Sequence, residues 1–276
     1  PSSAASDVYK RQGDGTFALA ARYAVGAGPR AVVAADLNSD GLYDLAVANH
    51  EDDNVRILVG LGDGTFAHQG WCQVGDAPVA LATGDFDGNG IADIAVGNDG
   101  SDDLSILFGI GDGTFAAEVR MIAARTKYPS SILVADFNND GAQDLAVASW
   151  HPCSSGTISF GVLLGSGDGT FVEFGSYGYG YQGACSLACA DFNGDGILDI
   201  AAPDAGHHRV SILLGFGDGR FAERVQYPVG DYPNSVAAGD LNRDGWPDLV
   251  VANTLGRHVS VLLGSGHGDF EPTRTY

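Results

Sequence analysis

The sequence predicts an all-β fold, a β-propeller of four-stranded antiparallel blades, and three observations predict it. An aspartate-rich segment, D-x-[DN]-x-[DN]-G-x-x-D, starts at Asp36, Asp85, Asp136, Asp191 and Asp240, at intervals of 49, 51, 55 and 49 residues. A second segment, G-D-G-T-F or a close variant, recurs six times and ends at Phe17, Phe66, Phe115, Phe171, Phe221 and Phe270. Between these markers lie runs of five to eight residues, rich in β-branched side chains and bounded by Gly, Asp, Asn and Pro, with no sustained helical period. A period near 50 residues with four such runs matches a propeller blade, in which radial closure also protects strand edges.

Each unit reads the same way. A first strand such as RAVVAAD enters the aspartate-rich loop, and a second such as DLAVAN leaves it. A third, of the type VSILLG, leads to the G-D-G-T-F turn, whose Asp-Gly pair is expected to supply the positive φ values of a tight hairpin. The fourth strand starts at the Phe, which is expected to anchor packing between units, and often ends in a Tyr-x-Val-Gly cluster such as Tyr227–Gly230. Several runs are apolar on both faces, as befits strands covered on both sides.

Five complete units follow a lone fourth strand at roughly residues 13–25, and Tyr276 aligns with Tyr23 and Tyr227 within a fourth strand. The count fits either a five-bladed ring with a spare strand or part of a six- to eight-bladed propeller. Residues 13–276 form the repeat domain. Residues 1–12 (PSSAASDVYKRQ) match nothing later and lack an apolar signal core, so they are read as a disordered scar of cloning or assembly. The natural chain is expected to continue upstream, where a secretion signal would lie.

Composition narrows the function classes. Thirty-five acidic residues face 14 Lys and Arg, for a formal charge of −21, which disfavours nucleic acid and anionic membranes as partners. No apolar run reaches the ~18 residues of a membrane helix, so direct membrane insertion is excluded too. Lysine occurs only at Lys10 and Lys127, and no Gly-Lys pair of a phosphate loop exists. Neither G-x-S-x-G nor H-E-x-x-H is present, no catalytic residue is assigned, and the chain is read as a non-enzyme.

Oxygen ligands at alternate positions suit a hard cation, so one Ca²⁺ per repeat, about five in all, is the expected cofactor. The ligand sets are Asp36, Asn38, Asp40, the Leu42 carbonyl and Asp44; then Asp85, Asp87, Asn89, the Ile91 carbonyl and Asp93. Next come Asp136, Asn138, Asp140, the Ala142 carbonyl and Asp144, then Asp191, Asn193, Asp195, the Ile197 carbonyl and Asp199. The last comprises Asp240, Asn242, Asp244, the Trp246 carbonyl and Asp248. Gly at position 6 permits the sharp turn. Position 12, Glu in an EF-hand, is apolar in every copy, so the carboxylate at position 9 closes the loop and two strands replace two helices. Three carboxylates per loop repel without a cation, and at least one pKa should rise.

With DFNGDGILDIA, VSILLGFGDGRF and YPVGDYPNSVAAGDLN in view, residues 13–276 resemble the FG-GAP/VCBS family of extracellular propeller repeats, whose blades are similar to those of integrin α-subunits and some fungal lectins. The resemblance implies calcium in the five loops, secretion or surface display, and a binding role. Asp87 with Asn89 reverses the usual order at unchanged charge, and His267 replaces the turn aspartate outside any metal loop. The expected function is a structural or adhesive calcium-binding module for a glycan or extracellular protein. The alternatives are a lectin-like glycan binder and an accessory domain of a secreted polysaccharide-active enzyme.

If strands alternate up and down, the metal loops and G-D-G-T-F turns share one end of the blades. His50, Trp150, His151, Tyr179, Tyr181, His207, His208, Tyr232 and His258 gather at the other, where ordinary exposed loops compete with a sugar-stacking site as the reading. Units three and four carry the longest departures, which makes Trp150, His151, Tyr179 and Tyr181 the candidate ligand face. A Cys153–Cys185 disulfide is plausible between adjacent blades there, Cys189 is expected as a buried free thiol, and Cys72 aligns with Tyr23 and Tyr227 at a packing position.

Overall fold

Short β-branched runs separated by turn residues leave the chain little choice but antiparallel meanders, and five form. The computed structural model describes residues 5–11, 17–121, 127–149, 158–178 and 186–276, with backbone alone for 5–11, 17–20 and 158–159. None of the described residues is helical.

Strands β1 (Ala5–Arg11) and β2 (Phe17–Ala24) pair as a two-stranded antiparallel ribbon. This corrects the expectation of a disordered leader: Ala5–Arg11 pairs along its length with the repeat strand beside it, with one register shift between Val8 and Tyr9. The physical reason is an open strand edge, whose unpaired amides and carbonyls accept any extended segment within reach.

The first blade comprises β3 (Pro29–Ala35), β4 (Asp44–Asn49), β5 (Asn54–Gly60) and β6 (Phe66–Gln73). The second comprises β7 (Pro78–Gly84), β8 (Asp93–Asn98), β9 (Asp103–Leu107) and β10 (Val119–Met121). The third runs through β11 (Pro129–Ala135), β12 (Asp144–Ser149), β13 (Ile158–Gly165) and β14 (Phe171–Gly178). The fourth has β15 (Ala188–Ala190), β16 (Asp199–Asp204), β17 (Arg209–Leu213) and β18 (Val225–Pro228). The fifth has β19 (Pro233–Gly239), β20 (Asp248–Asn253), β21 (His258–Leu262) and β22 (Arg274–Thr275). Every blade is hydrogen-bonded in chain order, and all its pairs are antiparallel.

The chain divides into two compact units, Pro1–Ile122 and Ala123–Tyr276. In each, the core lies between successive blades. Leu37, Ile57, Ile94 and Leu107 fill it in the first unit; Phe137, Phe160, Ile200 and Leu213, then Phe192, Ile212, Leu249 and Leu262, fill two such layers in the second. The second strands β8, β12 and β16 are buried at every position, as their two-sided apolar patterning requires. Truncating a fully buried Phe such as Phe160 to Ala would cost about 3–5 kcal/mol.

At Phe66, Phe221 and Phe270 the Phe of the G-D-G-T-F turn anchors neighbouring blades. The Phe221 ring packs edge-on at 5.5 Å from Tyr177, and the Tyr177 hydroxyl accepts the Phe221 N–H at 3.0 Å. Tyr23 repeats this with Phe66, and Tyr227 meets the Phe270 ring edge-on at 5.4 Å. The turn itself differs from expectation. Positive φ falls on the two glycines, as at Gly62 (77°) and Gly64 (83°), and the aspartate between them instead accepts the Thr65 N–H. An Asp–Thr cap is cheaper than forcing a Cβ into the left-handed region, and His267 is tolerated at that position because no positive φ is asked of it.

Candidate calcium loops

Each aspartate-rich loop is a β-turn series wound around its own side-chain oxygens. In the fourth blade, Asp191 accepts the N–H groups of Gly194, Asp195 and Gly196, Asn193 Oδ1 accepts that of Asp195, and Asp195 Oδ1 accepts that of Ile197. The other loops repeat the Asp36-type contacts to positions 5 and 6 and the position-5 contact to position 7. Position 6 is Gly in the left-handed region throughout, 81° to 91°. Position 4 is left-handed as well, at Ser39, Gly88, Asn139, Gly194 and Arg243, a demand that the mixed residue types there conceal.

The carboxylate at position 9 does more than close the loop. Asp199 is fully buried; one oxygen accepts the Phe192 N–H within the loop and the other the Gly215 N–H at the end of the third strand, both at 2.8 Å. Asp44, Asp93, Asp144 and Asp248 make the same pair of bonds. The strand-end glycine is equally constrained: a Cβ at Gly165 would stand 2.2 Å from the Gln143 carbonyl oxygen, and Gly60, Gly109, Gly215 and Gly264 meet the same obstacle. Burial pushes the Asp93, Asp144 and Asp199 carboxyls up, the last to about 6. The two amide bonds oppose that rise, and the neighbouring loop carboxylates add to it.

These residues fit a hard cation. Asp85, Asp87 and Asp93, at positions 1, 3 and 9, offer carboxylate oxygens within 4.8 Å of one another. The other four loops place an Asn at position 3, whose Oδ1 is an oxygen donor of the same type. Every sequence-derived ligand position, from Asp36 to Asp248, therefore falls on a loop held in one shape by its own backbone bonds.

Neighbouring blades also reach these loops. The Gly219 N–H donates to the Phe137 carbonyl at 3.0 Å and the Gly268 N–H to that of Phe192 at 2.9 Å, so the glycine turn of one blade rests on the loop of the blade before it. The sequence reading, which confined each ion to its own blade, did not find this link.

Other predicted residues divide sharply. Trp150, His151, Tyr179, Tyr181, Cys153 and Cys185 lie outside the described residues. Three of the remaining histidine candidates are engaged by near neighbours: His207 Nδ1 pairs with buried Asp204 at 2.9 Å, His208 Nδ1 accepts the Tyr232 N–H, and His258 Nδ1 faces the Gly256 carbonyl. Cys72 and Cys189 are free and half-buried; Cys72 packs against the core layer that contains Leu37, Val55 and Ile57, as its packing role requires, and burial pushes its thiol up to about 11.

A structural glycine–asparagine pair was missed. Buried Asn49, Asn98 and Asn253 end the second strands, and the glycines that close Tyr-x-Val-Gly-type segments, Gly26, Gly75 and Gly230, leave room for them, since a Cβ there would meet the Asn side chain at 2.6–2.7 Å. The signal is the constant spacing of 23 residues, present wherever the Asn is.

Comparison with solved structures supports the fold. The chain is similar to an Agrocybe aegerita lectin described as recognising non-reducing terminal N-acetylglucosamine (22% identity, 98% of this chain and 73% of that one, TM-score 0.65). It is also similar to a putative 6-phosphogluconolactonase from Bacteroides uniformis (15% identity, 98% and 78%, TM-score 0.69) and to the V. cholerae biofilm matrix protein Bap1 (21% identity, 91% and 40%, TM-score 0.55). None of the curated proteins matches the sequence significantly. The model of the FG-GAP-like repeat matches residues 36–96, 85–147 and 201–251, more than half of the chain. The chain belongs to the FG-GAP-like repeat family and has an all-β, propeller-type fold of four-stranded antiparallel blades.

Proposed function

We propose that this chain is an extracellular binding module, structural or adhesive in role and not an enzyme, in which one Ca²⁺ per repeat holds each blade together. The observation that carries the reading is the convergence of Asp85, Asp87 and Asp93 oxygens within 4.8 Å, in a loop shape repeated five times. A cation there removes the mutual repulsion of three carboxylates and ties a loop to the second strand of its blade. Because the ion binds the folded chain alone, calcium must raise the melting midpoint relative to chelator. Equal midpoints in calcium and in chelator would refute the assignment.

Glycan recognition is the second reading. The fold likeness to a fungal lectin motivates it, as do the open clefts beside the outer strands, one of about 390 Å³ in the first blade. A glycan array read in calcium separates the two: a reproducible set of bound sugars supports a lectin, and a blank array leaves a module for protein partners.

A further inference from the structure

Position for position, the five blades are an internal experiment in which structural needs are constant. Four residues before the strand-end glycine, the third strand carries Ser105, Ser211 and Ser260 in the second, fourth and fifth blades, Gly161 in the third and Arg56 in the first. The serines have structural work. Ser105 Oγ accepts the Gly75 N–H at 3.1 Å and the Asn98 Nδ2–H at 2.8 Å. Ser260 Oγ accepts the Gly230 N–H at 3.2 Å and the Asn253 Nδ2–H at 2.9 Å.

In the first blade that hydroxyl is gone. Asn49 turns to the Val25 carbonyl and Asn54 Oδ1 instead, and the equivalent Gly26 N–H has no hydroxyl to donate to. The replacement, Arg56, is half-buried with its Nε enclosed and without a hydrogen-bond partner. A buried donor left unpaired is destabilising, and three sister blades carry a hydrogen-bonding serine in its place, so the fold does not call for an arginine here.

Directly across the strand pair from Arg56 stands Trp71, 59% exposed. Its counterparts are Arg120, Ser176, Gln226 and Thr275, so the indole too is unique to this blade. Both side chains line the same cleft of about 390 Å³ with Gly26, Asp52 and Asn54. Asp52 Oδ2 accepts the Ala27 N–H at 2.7 Å, and its other oxygen can accept a hydroxyl.

We propose that the Arg56–Trp71 cleft is a binding subsite for a sugar ring carrying a single carboxylate. The guanidinium supplies the charge-assisted, planar donor set that a carboxylate prefers, and the exposed indole supplies a stacking surface for the apolar face of the ring. The formal charge of −21 repels a polyanion more strongly than a single carboxylate, so the ligand that suits the Arg56 guanidinium carries one isolated acidic group in an otherwise neutral glycan. The proposal deepens the glycan-binding reading and is independent of the calcium assignment, because its readout is ligand affinity and not the calcium-dependent midpoint.

The test titrates the calcium-saturated chain with methyl β-D-glucuronide and methyl α-D-galacturonide, their methyl esters, and acetate, by calorimetry and tryptophan fluorescence. One or both acids should bind saturably, with the ester and acetate weaker by about tenfold or more. Arg56→Ser recreates the sister blades and should keep or raise the melting midpoint while lowering acid affinity about tenfold, and Trp71→Ala should lower it as well. No saturable binding of either acid, equal binding of acid and ester, equal binding of acetate, or an Arg56→Ser variant that binds like the parent would each overturn the proposal.

Discussion

Asp199 and Asp195 sit four residues apart in one loop, and converting each to Asn separates a strand staple from a metal ligand. Asp199→Asn keeps one acceptor oxygen and sets an amide NH₂ against either the Phe192 or the Gly215 N–H, in a fully buried position. Losing one bond to a charged group while stranding a buried donor costs about 2–4 kcal/mol. For a chain of this size that lowers the midpoint by roughly 5–10 °C. The loss requires no metal and should be present in full in chelator. Asp195→Asn keeps the Oδ1 that accepts the Ile197 N–H and is solvent-exposed, so in chelator it should change stability by less than about 0.5 kcal/mol. In calcium at about a hundred times the dissociation constant, the same variant should forfeit up to about 2.7 kcal/mol, the increment of one site. The assay is calorimetric melting of parent and both variants with calcium and with chelator. An Asp199→Asn variant as stable as the parent in chelator would refute the staple, and an Asp195→Asn deficit of equal size with and without calcium would refute the ligand role.

Gly165→Ala places a Cβ 2.2 Å from the Gln143 carbonyl oxygen, a backbone atom that cannot step aside, and should lower stability by about 3 kcal/mol; a melt within error of the parent would contradict the packing. The metal-free chain should show an inverted acid response. Burial holds Asp199 near 6 against an ordinary 3.8, so the folded state takes up a proton more readily than the unfolded one. This group's contribution in chelator therefore becomes more favourable as pH falls from above about 6 toward about 4, whereas with calcium the proton competes with the metal and the midpoint falls; a parallel response in both would refute the reasoning. With its thiol pushed up to about 11, Cys72 should react with a disulfide reagent far more slowly in the native chain than in denaturant at about pH 8. Denatured without reductant, the chain should show two thiols if Cys153 and Cys185 are bridged, and four would sink that bridge.

Legibility followed chain distance. The strand runs apolar on both faces were read as covered on both sides, and β8, β12 and β16 are buried at every position; the residue after the first Asp of each motif is less regular, buried at Leu37, Phe86, Phe137 and Phe192 but exposed at Leu241. The glycine turn was located correctly but its torsions were not, because G-D-G offers two glycines and the aspartate's bond to Thr65 decides which residues turn left-handed. Ala5–Arg11 was misjudged because it matches no repeat; pairing with an open edge needs only extended backbone, which motif matching does not see. Arg56 and Trp71 were overlooked for a related reason: each is ordinary in a strand, and their oddity emerges only against Ser105, Ser211, Ser260 and the residues across from them.

What the sequence by itself determined is everything that recurs: the period, the strand runs, the oxygen-rich loops and their glycines, since a motif about nine residues long repeats visibly without any tertiary contact. Only the tertiary structure decided what those loops hold. The second bond of every position-9 aspartate goes to a glycine 16 residues or more down the chain, and the turn of one blade seats on the loop of the blade before it. A buried carboxylate must satisfy both of its oxygens, and which distant amide comes to satisfy the second is settled by the packing of strands, not by the motif that supplies the aspartate.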